Sequence, residues 1–214
     1  MRLTTLDRPI PPLLQAGLLI LLLTACAGAP PPVPDEHFYR LPQVHSATPL
    51  AQPLFSGTLA IGALDSAGIY NDRALLHSEE STPTQLQRYH YHSWTESPPR
   101  LVQDHLTLFL RHARTAPVVI PENPRNRWQY LLNGKLRRFE RITGAGGSKI
   151  VVAIEFQLLR QGENQPLLVK DYSVTEPAAG ERIDDTVAAF SNGLLRTYEW
   201  LLRDLQQIKV EGKQ

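Results

Sequence analysis

Three histidines, a pair of aspartates and a glycine cluster are the residues of this chain whose types and spacing chemistry could use. His90 and His92 stand two apart on a strand candidate, with His77 on the strand before it. Histidines at that spacing share a face and could hold zinc, given a fourth ligand. No carboxylate or cysteine sits at ligand spacing beside them, and paired histidines are also ordinary residues of a strand surface, so no metal is expected. Asp184-Asp185 would work as an acid–base pair only if the carboxyls faced each other. Neighbours on a helix do not, and negative charge in a first helical turn already suits the helix dipole. "GAGGSK", from Gly144, lacks the Gly-Lys-Ser/Thr of a phosphate loop and joins two strands, so it reads as a hairpin turn. Gly-x-Ser-x-Gly, the strained turn that would expose a serine nucleophile, is absent. The expectation is a protein that is not an enzyme and carries no cofactor.

Cys26 is the only cysteine. It closes an apolar run from Leu13 to Ala25, shorter than the roughly 20 residues a bilayer-spanning helix needs. Arg2 and Arg8 precede the run and small residues follow it, the order of an export signal. Leu23-Thr24-Ala25-Cys26 resembles the bacterial lipobox, in which the thiol becomes a thioether to diacylglycerol before cleavage. The plain alternative is an unmodified thiol in a signal helix. On the lipobox reading residues 1–25 are a lipoprotein signal peptide and Cys26 is the lipid attachment point. Two or three acyl chains then hold the protein to a membrane far more firmly than one could. Ala27, where an aspartate would resemble a retention signal, points to the periplasmic face of the outer membrane. With its cysteine lipidated, the domain must stand on packing alone.

The positioning elements begin after a tether. "AGAPPPVPD", Ala27 to Asp35, favours extended polyproline II, and Pro42 to Pro53 is a second loose stretch after the short strand "HFYRL". Residues 26–53 are therefore a lipidated, proline-rich N-terminus, and residues 54–214 a single domain. A net charge of +1, without blocks of like charge, excludes a nucleic-acid footprint. Strands are expected over Gly57–Leu64, with Leu59, Ile61 and Ala63 on one face, over Arg73–Glu79 and over Leu86–Trp94. Ser97-Pro98-Pro99 opens an amphipathic helix with Val102, Leu106, Phe109 and Ala113 on its apolar side and Gln103, Asp104, Thr107 and Arg111 opposite.

"RWQYLLNGKLRRFERI" is ambiguous, since Asn133-Gly134 is a hairpin signal while the apolar alternation runs on unbroken; one long strand is preferred. With "SKIVVAIEFQLL" and "PLLVKDYSV" it should form an antiparallel meander. A terminal helix carries Ile183, Val187, Phe190, Leu194, Tyr198, Leu201, Leu205 and Ile208 inward, and Ser191, Arg196, Glu199, Arg203 and Gln206 outward, with Lys209 after its end. The fold class is α+β (α/β-like): a mixed, largely antiparallel sheet of about seven strands with two amphipathic helices packed on it.

The lipobox, the Phe38-Tyr39-Arg40-Leu41 opening, "GIYNDR", the Tyr89 to Trp94 segment closing on Pro98-Pro99, and Leu136-x-x-Phe139-Glu140 occur in an order that resembles the ABC-type transport auxiliary lipoproteins, the PqiC-like family. Ala63, where valine is common, and the missing leucine before Asp72 depart from the pattern. The resemblance implies a non-catalytic subunit of a lipid-transport system for envelope integrity. Its partners would be an ABC permease and ATPase and a periplasmic protein with mammalian-cell-entry (MCE) domains, alongside self-association as a homo-oligomer and the membrane held through the N-terminal lipid. The alternative is a lipoprotein cofactor of another envelope machine, a peptidoglycan-synthase activator or assembly factor. Ile69 and Tyr70, apolar in a connection that should be exposed, either tuck into the core or contact a partner.

Overall fold

The chain divides into Met1–Asp35 and Glu36–Gln214. The computed structural model describes residues 34–42 and 48–211, so Cys26, the expected signal peptide and most of the expected tether lie outside the described residues. The fold below is that of the second unit.

Among the described residues, eight strands and two α-helices follow in the order β1 (His37–Tyr39), β2 (Thr58–Ser66), a 3-10 turn (Gly68–Asn71), β3 (Ala74–Glu79), β4 (Thr82–Trp94), α1 (Pro98–His112), β5 (Val118–Pro121), β6 (Tyr130–Gly144), β7 (Gly147–Arg160), β8 (Leu168–Pro177) and α2 (Ile183–Glu211). The α+β class holds. Antiparallel pairing dominates through the long β6–β7–β8 meander, while β1–β4, β2–β5, β2–β6 and β3–β6 are parallel. The strand not anticipated is β5, the four residues Val118–Pro121 that follow Pro117. Proline cannot donate to a ladder, and β5 stands at the sheet edge beside β2, where that costs nothing.

β6 organises the sheet. One edge pairs with β7 along nearly its whole length; the other is shared end to end by β2, over Tyr130–Leu136, and β3, over Arg141–Thr143. Asn133-Gly134 lies within this continuous strand. A Cβ on Gly134 would stand 2.9 Å from Leu64 Cγ and 3.2 Å from Phe156 Cε1, so the glycine allows those two side chains to close over β6 rather than turning it.

α1 packs on β2 and β5, and α2 on β7 and β8; Ile150, Val152, Ile154, Phe156 and Leu158 of β7 are all buried as the alternation requires. Phe139 and Phe190 stack at 4.2 Å, with Trp94 edge-on to Phe190 at 5.5 Å, and Tyr198 of α2 meets Phe109 of α1 at 5.4 Å. The inward stripe expected for α2 is buried from Val187 to Leu205. Lys209 falls inside this helix rather than after it.

Several polar residues differ from their expected placement. Gln103 is buried and donates from Nε2 to the Ile61 carbonyl at 2.9 Å; Thr107 is buried and donates to the Gln103 carbonyl. Ser191 is buried because its hydroxyl donates to the Pro42 carbonyl at 3.1 Å, an acceptor shared with His105 Nε2 at 2.8 Å. In β2 a register shift between Ile61 and Leu64 breaks the alternation, turning Ala63 outward and Leu64 inward.

Candidate partner-binding site

The connection carrying Ile69 and Tyr70 fills the gap between β2 and β3 on the shared edge of β6. It forms a single 3-10 turn, with the Tyr70 amide donating to the Ala67 carbonyl at 2.9 Å and the Ser66 hydroxyl donating to Asn71 Oδ1 at 2.7 Å. Tyr70 is turned inward, 6% exposed, and its hydroxyl donates to Glu140 Oε2 at 2.7 Å. Glu140 is itself buried and paired through its other oxygen with Arg138. Burial, and then the hydrogen bond to the carboxylate, push the Tyr70 phenol well above its ordinary pKa. Of the two placements the sequence leaves open, Tyr70 takes the core, where its hydroxyl satisfies a buried acid. Ile69 is half-buried against the core, and Ala67, Gly68 and Asn71 are the exposed residues of the turn.

The histidines lie elsewhere. Between Ala74 and Leu76 the β3–β4 register shifts by three residues, so the period-two placement of His90 and His92 is lost. His92 is stacked on His37 at 5.3 Å, accepts from or donates to the Tyr39 hydroxyl through Nδ1 at 2.8 Å, and meets Tyr89 edge-on at 5.7 Å. His77 packs against the other side of this array, 4.3 Å from Tyr89, whose hydroxyl accepts from Arg141 Nη1 at 3.0 Å. Burial lowers the pKa of both His77 and His92, helped by Arg141 for the first and His37 for the second. His90 is exposed, with Tyr91 as its ring neighbour. The array seats the three-residue β1 on β4. It does not unite the three histidines that the sequence singled out.

An open groove at the end of the sheet was not anticipated. It encloses about 630 Å³ between residues 52–56, Pro117, Tyr130, Arg160, Leu167 and Ile208. Leu54 and Phe55 amides both donate to the Thr115 carbonyl, which fixes the wall. Gly57, at φ +80°, turns the chain beside Gln129, whose Oε1 accepts from the Thr58 amide and would lie 2.4 Å from any Cβ. Phe55 and Tyr130 rings are 4.6 Å apart, and the Arg160 guanidinium lies over Tyr130 at 5.9 Å. These residues come from separate stretches of chain, each unremarkable alone, which is why sequence spacing could not reveal the groove.

The described residues contain no helix long and apolar enough to cross a membrane. Asp184 and Asp185 occupy the first turn of α2, where Asp184 pairs with Arg182 and Asp185 accepts from the Arg182 amide, the dipole and capping roles expected of them. A family model described as "ABC-type transport auxiliary lipoprotein component" matches residues 42–199. Among solved structures, protein XCC0632 from Xanthomonas campestris is similar with a TM-score of 0.70 at 20% identity, over 83% of this chain and 99% of that one. A second, an uncharacterized protein, has a TM-score of 0.63 at 14% identity, over 80% and 99%. At these identities they support the fold alone. No protein with a curated description matches the chain.

Proposed function

The chain belongs to the ABC-type transport auxiliary lipoprotein component family, and we propose from this that it is the lipid-anchored, non-catalytic subunit of a lipid-transport machine serving envelope integrity. On this reading Cys26 carries the lipid, residues 26–53 tether the domain to the periplasmic face of the outer membrane, and the domain engages an MCE-domain protein of an ABC permease and ATPase system. The observation that carries the reading is the family match over residues 42–199, joined to the lipobox ahead of it. The partner contact around Ile69 is a proposal within it, with Tyr70 supporting the turn from inside.

The test is affinity recovery of the tagged full-length lipoprotein from detergent-solubilised membranes. Recovery of an MCE-domain protein together with a permease is the expected result. Recovery of a cell-wall synthase in their place would sink the transport reading and favour the alternative of a synthase cofactor.

A further inference from the structure

We propose that the groove at the end of the sheet holds one acyl chain of a membrane glycerophospholipid, with the lipid phosphate on Arg160. The inference deepens the transport reading and rests on it, since it names the lipid class this subunit would touch. Volume is the first argument: about 630 Å³ falls in the range of roughly 300–1,000 Å³ typical of small-molecule sites. Lining chemistry is the second. Leu54, Phe55, Leu167 and Ile208 supply an apolar wall, and Arg160 is the one charged residue among those lining the groove. Gln52 and Ser56 add polar groups to the lining; an apolar wall with a single cation beside it matches an acyl chain with a single anion at its end.

Geometry favours phosphate. A guanidinium presents a planar fork that suits tetrahedral oxyanions better than a point charge would. Arg160 is steadied by the Tyr130 ring, and its present partner, Glu163 Oε1 at 3.1 Å from Nη1, is three residues away on an exposed hairpin. Exposed pairs of this kind contribute little, so an incoming phosphate displaces Glu163 at small cost. The wall is already formed, because Leu54 and Phe55 are held by the Thr115 carbonyl and Phe55 is 5% exposed. The cleft beside Lys170 offers no such site, because Asp204 already takes both Lys170 and the Tyr172 hydroxyl.

The experiment uses the full-length lipoprotein in phosphatidylcholine nanodiscs doped with phosphatidylglycerol bearing a diazirine near the end of one acyl chain. After illumination, the crosslinked peptides are mapped. Expected are adducts on the segments holding Leu54–Phe55 and Leu167, about tenfold fewer for diazirine-diacylglycerol, which lacks phosphate, with that difference lost in Arg160→Ala and only partly kept in Arg160→Lys. Ile208→Ala, which opens the groove wall without burying a charge, should lower the adducts several-fold with the fold retained by circular dichroism. Equal capture of diacylglycerol, adducts outside the groove, or a protein–protein crosslink from Leu167 to a second copy or to residues 209–214 would each overturn the proposal. Loss of groove adducts with transporter co-purification intact rejects the site alone; adducts without co-purification reject the transport reading.

Discussion

Tyr70 and Glu140, seventy positions apart, are joined by a 2.7 Å hydrogen bond that spans the gap between the two strands sharing one edge of β6. The bond ties the 3-10 turn to the sheet where no ladder does. Tyr70→Phe leaves Glu140 buried with Arg138 as its remaining partner. That should cost about 1–2 kcal/mol, or a fall in melting point of roughly 2–8 °C for a domain of this size. Calorimetry checks it; an unchanged midpoint would show that water replaces the hydroxyl.

The aromatic stack should be the most sensitive part of the core. Phe190→Ala removes the ring stacked on Phe139 and leaves Trp94 facing a void, at a cost of about 3–5 kcal/mol. Chemical denaturation should show this as a lower midpoint with an unchanged slope.

Gly134→Val tests why β6 does not turn at Asn133-Gly134. The added side chain meets Leu64 and Phe156, and overpacking of this kind costs about 1–3 kcal/mol. A variant as stable as wild type would mean that the sheet yields there readily.

His105 should make stability depend on pH. Burial lowers its folded pKa below the ordinary value near 6.5, outweighing the bond from Nε2 to Pro42, which raises it; Nδ1 is buried without a partner. The unfolded chain then binds the proton more readily, so stability is greatest above about pH 6.5 and falls as pH drops through that value toward the folded pKa. His77 and His92 act in the same direction. His105→Gln, which can still donate to Pro42, should flatten the melting-point slope between about pH 5 and 7; an unaltered slope would assign it to the other two.

Cys26→Ser should block incorporation of labelled palmitate and leave an uncleaved or unanchored protein, since a hydroxyl does not form the thioether of the lipobox reading. Persistent labelling of the serine variant would reject Cys26 as the attachment point.

Much of this fold is legible in the sequence where periodicity is uninterrupted. The alternation from Ile150 to Leu158 and the stripe from Val187 to Leu205 each identify a buried face correctly. Legibility fails at register shifts. The shift at Ile61/Leu64 reverses Ala63 and Leu64, and the one between Ala74 and Leu76 separates His90 from His92. It fails again where a polar side chain is drawn inward by a backbone acceptor, as with Gln103 and Ser191. For Tyr70 the sequence leaves core and partner contact open, and only the fold supplies the buried acid that receives its hydroxyl.

The Pro42 carbonyl, gripped from α1 by His105 and from α2 by Ser191, has a mechanical consequence. Tension applied to the chain ahead of Glu36 reaches β1 first, where three residues hold to β4. If β1 peels away, the load passes to Pro42 and divides between two helices at once, with neither taking it alone. The short strand then acts as a fuse and the shared carbonyl as a load-splitting anchor, so that pulling would free β1 before it disturbed the body of the fold.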